Sequence, residues 1–180
     1  MSLDMGISEL LFLAVIALYA VLLFLFNATW YFSKSFRLPD IMPETKISVI
    51  IPVRDESANI TSCLENLIAQ DYPLALLEII VVDDFSTDST CVLVGEIISK
   101  NPGNDIRLIK LSNCPGGKKT ALSEGIKVSK GDLIVTSDAD CTYNPKWITS
   151  LAGCYQNSKP AMIIGPVRFS AGQTHFQKML

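Results

Sequence analysis

The 180-residue sequence has few of the side chains from which zinc sites are usually built. It contains a single histidine, His175, so a zinc site built from histidines is not expected. The cysteines are odd in number and include no CxxC pair, which is the usual mark of a metal or redox site. All five are therefore interpreted as reduced structural thiols of a cytosolic domain: Cys63, Cys91, Cys114, Cys141 and Cys154.

The sequence also lacks an excess of positive charge. Fifteen basic residues stand against eighteen acidic ones, which gives a net charge of −3 without any basic stripe. Nucleic acid is therefore not an expected partner, because its phosphates are normally met by clustered Lys and Arg. The turn after the first predicted strand has no GxGxxG, which argues against a dinucleotide-binding oxidoreductase.

A long apolar segment is present close to the N-terminus. Residues 10–26 are an unbroken apolar run of 17 residues, and residues 7–32 are long enough to cross a hydrocarbon core of about 30 Å as a helix. A cleaved signal peptide is the alternative, but no Lys or Arg precedes the run and aromatic residues follow it. We therefore predict a transmembrane anchor over residues 1–36 and a separate domain over residues 37–180.

The charges that flank the apolar run predict its orientation. Asp4 and Glu9 precede the run, whereas Lys34 and Arg37 follow it. Basic residues favour the cytoplasmic side of a membrane, so we expect a single-pass protein with its C-terminal domain in the cytoplasm. The glycosylation sequons at Asn27 and Asn59 would then stay unmodified.

The rest of the chain alternates between short apolar runs and amphipathic segments. Strands are predicted over five runs: residues 47–52, 78–83, 106–111, 133–136 and 162–165. Helices are predicted to follow four of them, capped or begun near Ser57, Ser86 or Thr87, Lys118, and Asn144. Strand starts recur every 27 to 31 residues, which is the size of a βαβ unit. We predict an α/β fold with an open, mostly parallel sheet, helices on both faces and right-handed crossovers.

Acidic residues follow three of the predicted strands. Asp55 and Glu56 come after the first, Asp83 and Asp84 end the second, and Asp138-Ala-Asp140 follows the fourth. Ligands of such sheets bind beyond the carboxyl ends of the strands, so these carboxylates are expected to converge there. A divalent cation would relieve their repulsion, and Mg²⁺ or Mn²⁺ suits hard carboxylate oxygens. Solvated turns or helix caps are the alternative interpretation of each cluster.

Two further features fit a nucleotide ligand. A carboxylate of Asp83 or Asp84 could accept a hydrogen bond from the imide N–H of a uracil ring. Glycines 116 and 117 permit close approach of the backbone, and Lys118 and Lys119 could meet a diphosphate. A flexible loop with two solvated lysines is the alternative.

Four ordered segments resemble the motifs of family 2 glycosyltransferases. Residues 47–56 are similar to the opening strand with its Pro-x-x-Asn/Asp-Glu motif, and residues 80–88 resemble the second motif. Residues 117–125 are similar to a Gly-Lys-x-x-Ala-Leu-x-x-Gly stretch, and residues 131–140 resemble the strand that leads to the metal motif. The resemblance covers about residues 46–169.

The resemblance implies a GT-A, Rossmann-like fold and inverting transfer of a sugar from a nucleoside diphosphate donor, with a preference for UDP. The acceptor would be a polysaccharide, a lipid or another glycan at the membrane. It implies the following donor-site residues: Pro52, Asp55 and Glu56 in the nucleotide pocket, Asp83 and Asp84 at the base, Lys118 near the base or phosphates, and Asp138 at the ribose or metal. Asp140 would bind Mg²⁺ or Mn²⁺, together with Asp138.

The sequence departs from the family pattern in its last part. Family members continue with an acceptor site, a carboxylate that serves as general base, and often a Gln-x-x-Arg-Trp motif. Nothing after Phe169 matches those features, and no general base is found outside the donor-site acids. A truncated chain that binds donor and metal without completing catalysis is therefore expected.

Two other functions are weighed against this one. Residues 138–142 fit the Asp-x-Asp-x-Thr signature of haloacid-dehalogenase phosphatases. That signature normally lies on the first strand, with further motifs well downstream, so the phosphatase is disfavoured. A membrane-tethered binding module without activity stays open, because fold alone does not establish catalysis.

Overall fold

The computed structural model describes residues 6–31, 42–112 and 116–165. The chain divides into two compact units, Met1–Arg37 and Leu38–Leu180. The described part of the first unit is one helix, α1 (Ile7–Tyr31), whose 25 residues give a length of roughly 37 Å at the α-helical rise. Within the described residues, α1 is the one helix long and apolar enough to cross a membrane, over Ile7–Thr29, as judged from length and composition.

In its described residues, the second unit is built on a parallel sheet of four strands. In chain order they are β1 (Ile47–Val53), β2 (Leu77–Asp83), β3 (Asp105–Lys110) and β4 (Leu133–Thr136). The spatial order is β3-β2-β1-β4, and every pairing is parallel. β1 and β2 are mostly apolar and almost entirely buried, as expected for strands covered on both faces. The sheet confirms the predicted α/β fold.

Helices cover both faces of this sheet. The helices are α2 (Ile60–Ile68), α3 (Thr90–Lys100), α4 (Lys118–Val128) and α5 (Trp147–Ser158), with a short 3₁₀ turn at Leu74–Leu76. The larger apolar cluster joins one face of the sheet to residues of α2, α3 and α5. The smaller cluster joins the opposite face to α4 through Ala121. A Cβ on Gly125 would lie 2.5 Å from Cγ2 of Ile50, so α4 packs directly against β1.

The prediction of a fifth strand at residues 162–165 is wrong for the part of the chain that the structure describes. These residues form no strand there, and Met162 and Ile164 are exposed. A run of four apolar residues is a strand only when its backbone pairs with a neighbour, and it pairs with none of the four described strands.

Three helices begin later than their predicted caps. α2 begins at Ile60, α3 at Thr90 and α5 at Trp147. The reason is clearest at α3, because the Ser86 hydroxyl accepts a hydrogen bond from the N–H of Asp55 instead of capping the helix. Side chains committed to another loop are not free to cap their own helix.

The sheet order creates a crevice at the carboxyl ends of β1 and β4. From β1 the chain adds β2 and β3 on one side, and then returns to place β4 on the other side of β1. This reversal is the topological switch point, where open α/β sheets bind ligands. β1 ends at Val53 and β4 at Thr136, so the Asp55-Glu56 and Asp138–Asp140 segments both emerge here.

Candidate functional site

A polar cavity of about 230 Å³ lies at the carboxyl edge of the sheet. Its lining comes from the last two residues of β1, from the loops after β1, β2 and β4, and from the first residue of α4: Pro52, Val53, Arg54, Glu56, Asp84, Lys118, Asp138, Ala139 and Asp140. Six residues named from the sequence are thereby brought together: Pro52, Glu56, Asp84, Lys118, Asp138 and Asp140. Asp84 and Asp140 are 56 residues apart in the chain, yet they face one cavity.

Asp84 is the most enclosed carboxylate of the cavity, with 7% of its side chain exposed. Its backbone N–H donates to the carbonyl of Val53 at 2.8 Å, which extends the pairing of β1 and β2 by one step. Its Oδ1 accepts from the N–H of Gly117 at 2.8 Å, and its Oδ2 lies 3.8 Å from the Arg54 guanidinium. These contacts fix the carboxylate at the floor of the cavity.

Glycine is required beside Asp84. A Cβ on Gly116 would lie 2.2 Å from Oδ1 of Asp84 and 2.9 Å from the Phe85 ring. Gly117 has a φ of +118°, which residues with a side chain rarely adopt. The two glycines thus let the start of α4 reach the Asp84 carboxylate.

Lys118 crosses the cavity to the turn that follows β4. Its Nζ lies 2.5 Å from Oδ1 of Asp138, and both side chains are more than half exposed. Asp140 is also exposed, whereas Ala139 between the two aspartates is buried in the core. The buried alanine anchors the turn, and the flanking carboxylates are left at the cavity surface.

The turn is supported from behind by the partly buried hydroxyl of Tyr143. The Tyr143 hydroxyl donates to Oγ of Ser137 at 2.7 Å, and its ring stacks on Trp147 with centroids 4.3 Å apart. The Cys63 thiol contacts the carbonyl of Asp138 at 3.8 Å. Burial raises the pKa of the Cys63 thiol to about 11, so it is a protonated structural group near neutral pH. The described cysteines are free thiols.

The cavity has the charge of a cation-binding site. Four carboxylates line it, from Glu56, Asp84, Asp138 and Asp140, against two cations, from Arg54 and Lys118, so the lining sums to −2. Among the described residues, no three His, Cys, Asp or Glu side chains are grouped closely enough to hold a metal by themselves. The donor set fits a hard divalent cation bound by one or two carboxylates, with phosphate oxygens and water completing its shell.

Asp55 and Asp83 do not line this cavity. The Asp55 carboxylate faces the loop after β2, where its Oδ1 accepts from the N–H of Thr87 at 2.7 Å. That hydrogen bond holds the pKa of Asp55 below its ordinary value. Asp83 is buried, and its Oδ1 accepts from the N–H of Ser86 at 3.2 Å. Both carboxylates are occupied by the backbone of the same loop.

Three contributors were missed at the sequence level. Arg54 and Asp88 fall inside the segments that resemble the first and second family motifs but are assigned no role there, and Tyr143 is not singled out by the sequence. Asp88 has a recognisable signal, since it lies two residues before the first residue of α3, where capping side chains are common. Tyr143 has none, because its partners Cys63 and Ser137 come from other elements of the chain.

Comparison with known proteins identifies the family and the fold. The model of the family described as "Glycosyl transferase family 2" matches residues 48–180. The dolichyl N-acetyl-alpha-D-glucosaminyl phosphate 3-beta-D-2,3-diacetamido-2,3-dideoxy-beta-D-glucuronosyltransferase of Methanococcus voltae is 34% identical over 113 residues, which cover 63% of this chain and 35% of that protein.

Two solved structures share the architecture. The mannosyltransferase PcManGT from Pyrobaculum calidifontis, in complex with GDP-Man and Mn²⁺, superposes with a TM-score of 0.66 at 27% identity, over 79% of this chain and 43% of that chain. S. aureus TarS 1-349, in complex with UDP-GlcNAc, superposes with a TM-score of 0.56 at 28% identity, over 63% of this chain and 32% of that chain.

The present chain spans about a third of the length of the curated relatives it matches. The family match nevertheless covers nearly the whole second unit, including β1 to β4 and every residue of the cavity. The chain belongs to glycosyl transferase family 2.

Proposed function

We propose that this chain forms the donor-binding part of a membrane-anchored glycosyltransferase. The donor is a sugar linked to a nucleoside diphosphate, with UDP as the preferred nucleotide. The reaction transfers the sugar with inversion and with the assistance of Mg²⁺ or Mn²⁺.

One observation carries this proposal. Asp84, Lys118, Asp138 and Asp140 come from the loop after β2, the start of α4 and the loop after β4, and they line a single cavity at the switch point of the sheet. A scatter of solvated turns would not bring a buried carboxylate, a lysine and an Asp-x-Asp turn to one opening. The bound donors of the two structural relatives support the same assignment, GDP-Man in one and UDP-GlcNAc in the other.

Each side chain has a chemical task in this proposal. The enclosed Asp84 carboxylate accepts a hydrogen bond from the imide of the base, and burial makes that acceptor selective. Pro52 and Glu56 border the nucleotide, and Asp138 receives the ribose or the cation. The Lys118 ammonium lies at the cavity opening, where it can donate to diphosphate oxygens. Asp55 and Asp83, which the family resemblance also assigns to the donor, support the loops around it.

Charge explains the need for a cation. A nucleoside diphosphate would enter a lining that already sums to −2, so two like charges would meet. When bound between Asp138 and Asp140, Mg²⁺ or Mn²⁺ would supply the positive charge that stabilises the departing diphosphate. The carboxylates of this chain hold that position, and Lys118 adds a second positive charge beside it.

The acceptor and location are inferred from the relatives and from α1. The name of the Methanococcus relative specifies a dolichyl-linked phosphate acceptor, so we propose a lipid-linked or polymeric glycan acceptor. A lipid-linked acceptor agrees with α1 acting as a single-pass anchor. Lys34 and Arg37 after the span support a cytoplasmic position for the catalytic domain.

Donor binding without turnover uses the same site and is the second candidate. Attack by an acceptor hydroxyl requires a general base near its proton. The carboxylates of the cavity are assigned here to the donor and cation, so none is assigned as that base.

Calorimetric titration of the whole chain in detergent tests the donor site. UDP, UDP-GlcNAc, UDP-glucose and GDP-mannose are each added with and without Mn²⁺. We expect binding that requires Mn²⁺, with UDP compounds the tightest. Asp140→Asn should abolish the metal-dependent part of the affinity. Asp71→Asn serves as the matched control, because Asp71 is exposed and lies outside the cavity.

The outcomes separate the proposals. Absence of binding of any nucleotide by the wild-type chain would refute the donor site, and an unchanged metal effect in Asp140→Asn would refute the cation assignment. Release of UDP on addition of a lipid-linked acceptor would distinguish a complete enzyme from a binding module.

A further inference from the structure

The loops after β1 and β2 are joined by a reciprocal set of hydrogen bonds. Three consecutive backbone N–H groups after β1 donate to side chains of the second loop: Asp55 to Oγ of Ser86 at 3.0 Å, Glu56 to Oγ1 of Thr90 at 2.9 Å, and Ser57 to Oδ2 of Asp88 at 3.0 Å. We name the set formed by residues 55–57 and 86–90 the loop clamp.

In the opposite direction, groups of the loop after β2 donate hydrogen bonds to the Asp55 carboxylate. Its Oδ1 accepts from the N–H of Thr87 at 2.7 Å, from Oγ1 of Thr87 at 3.1 Å and from the N–H of Asp88 at 3.3 Å. The other oxygen of Asp88, Oδ1, accepts from the N–H of Thr90 at 2.9 Å. Asp55 and Asp88 thus each accept hydrogen bonds from the backbone of the other's loop. The N–H groups that donate these bonds lie between β1 and α2 or between β2 and α3, where no strand or helix partner is available to them.

Both carboxylates are ionised acceptors near neutral pH. Hydrogen bonding from Thr87 holds the pKa of Asp55 low, and hydrogen bonding from Thr90 does the same for the pKa of Asp88. Charged acceptors make stronger hydrogen bonds to backbone N–H groups than neutral ones do. Both acceptors of the clamp are therefore charged near neutral pH.

The backbone of Asp55 is specialised for this role. Its φ is +54°, and Phe85, which follows Asp84 in the opposite loop, has a φ of +58°. Residues with a side chain seldom adopt this left-handed conformation, and Asn and Asp tolerate it best. The family pattern of Asn or Asp at this position, noted above, has a physical basis here in backbone conformation and acceptor geometry.

The clamp lies directly beside the cavity. Glu56 follows Asp55 and lines the cavity, and Asp84 precedes Phe85 and forms the cavity floor. We propose that Asp55 and Asp88 are positioning residues, which hold Glu56 and Asp84 in place for the nucleotide without contacting it. This inference rests on the proposed function and changes the role that the family resemblance gives to Asp55.

Three substitutions at position 55 separate the possible contributions. Asp55→Asn keeps an acceptor oxygen and tolerates the left-handed backbone. Asp55→Gly keeps the backbone freedom and loses the acceptor, whereas Asp55→Ala loses both. Nucleotide affinity is measured by calorimetry with UDP and with GDP in the presence of Mn²⁺, well below the melting temperature of each variant.

We expect the affinity of Asp55→Asn for the nucleotide to lie within about twofold of wild type. The Gly and Ala variants should bind the nucleotide about tenfold more weakly, because each loses about the net free energy of one hydrogen bond. Affinity for Mn²⁺ alone should be unchanged in all three, because Asp138 and Asp140 lie on the separate turn after β4. A merely destabilising substitution would lower the melting temperature without this split between nucleotide and metal.

A milder variant keeps the test possible if the Gly or Ala variant does not fold. Ser86→Ala removes one acceptor of the clamp and leaves Asp55 intact, and it should weaken nucleotide binding about threefold. Ser99→Ala is the matched control, since the Ser99 hydroxyl donates only to the carbonyl of Gly95 within α3. Nucleotide affinity equal to wild type in Ser86→Ala and in Asp55→Gly would overturn the inference.

The result also separates this inference from the proposed function. A wild-type chain that binds neither UDP nor GDP with Mn²⁺ would overturn both. Wild-type binding combined with a loss of affinity in Asp55→Asn equal to that in Asp55→Ala would show that the acceptor oxygen and the backbone tolerance of Asn do not restore binding, and it would overturn the positioning role alone.

Discussion

Removal of the Lys118 ammonium should have opposite effects on the binding of Mn²⁺ alone and on the binding of UDP. In the described structure its Nζ lies 2.5 Å from Oδ1 of Asp138, so the ammonium neutralises one of the two carboxylates assigned to the cation. Mn²⁺ alone must compete with Lys118 for Asp138. A diphosphate would instead give the lysine a new partner and release the aspartate.

The expected magnitudes follow from the exposure of the pair. The Lys118 and Asp138 side chains are 61% and 53% exposed, and ion pairs of this kind contribute about 0.2–1 kcal/mol. Lys118→Met should therefore tighten binding of Mn²⁺ alone by about 1.4- to 5-fold. Loss of a hydrogen bond to a charged phosphate costs about 1.5–3 kcal/mol, so UDP binding with saturating Mn²⁺ should weaken by about 10- to 150-fold.

The assay is a titration of free Mn²⁺ followed by electron paramagnetic resonance, paired with calorimetry for UDP. Lys100→Met is the matched control, because Lys100 forms an exposed ion pair with Glu96 on α3, at 3.6 Å and away from the cavity. Weaker binding of Mn²⁺ alone in Lys118→Met, or equal changes in Lys100→Met, would refute the exchange of partners.

Two further predictions concern the scaffold of the site. Gly116→Ala places a Cβ 2.2 Å from Oδ1 of Asp84. It should therefore lower the free energy of unfolding in urea by about 1–3 kcal/mol and weaken UDP binding. Gly103→Ala is the control and should change neither quantity, because a Cβ on Gly103 meets no atom within 4 Å. Glu78 is fully buried, and its carboxylate accepts hydrogen bonds from the Ser48 hydroxyl and the N–H of Lys130. Burial acts against ionisation of this carboxylate, but the two hydrogen bonds and the ion pair with Arg107 hold its pKa below the ordinary 4.5. The ionised carboxylate therefore stabilises the fold above pH 4.5, and this stabilisation is lost as the pH falls through the lowered pKa. In a plot of the urea midpoint of unfolding against pH, Glu78→Gln should show a shallower fall on the acid side than wild type. A fall as steep as that of wild type would contradict this.

The sheet was predictable because its strands carry local signals. β1 and β2 consist mainly of β-branched and other apolar residues, and their spacing matches a βαβ unit. The carboxyl-edge position of Asp84, Asp138 and Asp140 then follows from parallel strand topology alone. The prediction of a strand at residues 162–165 was wrong because the composition of a short apolar run does not show whether a partner strand exists.

The loop clamp could not be predicted in the same way. Asp55 pairs with residues 32 and 33 positions away, and whether its carboxylate faces a ligand or a neighbouring loop depends on backbone angles that composition does not encode. The same holds for Tyr143, whose hydroxyl supports the Asp-x-Asp turn through contacts with Ser137 and Cys63. Acidic residues at strand ends identify the edge of the sheet, and only the fold separates those that face the cavity from those that hold its loops.

Diffraction from crystals of the chain grown with UDP and Mn²⁺, recorded at the manganese absorption edge, tests most directly whether one cation site unites these aspartates. The account predicts a single anomalous peak between the carboxylates of Asp138 and Asp140, at about 2.0–2.2 Å from a coordinating oxygen, with the uracil ring against Asp84. A manganese peak elsewhere, or a uracil ring that does not approach Asp84, would contradict it.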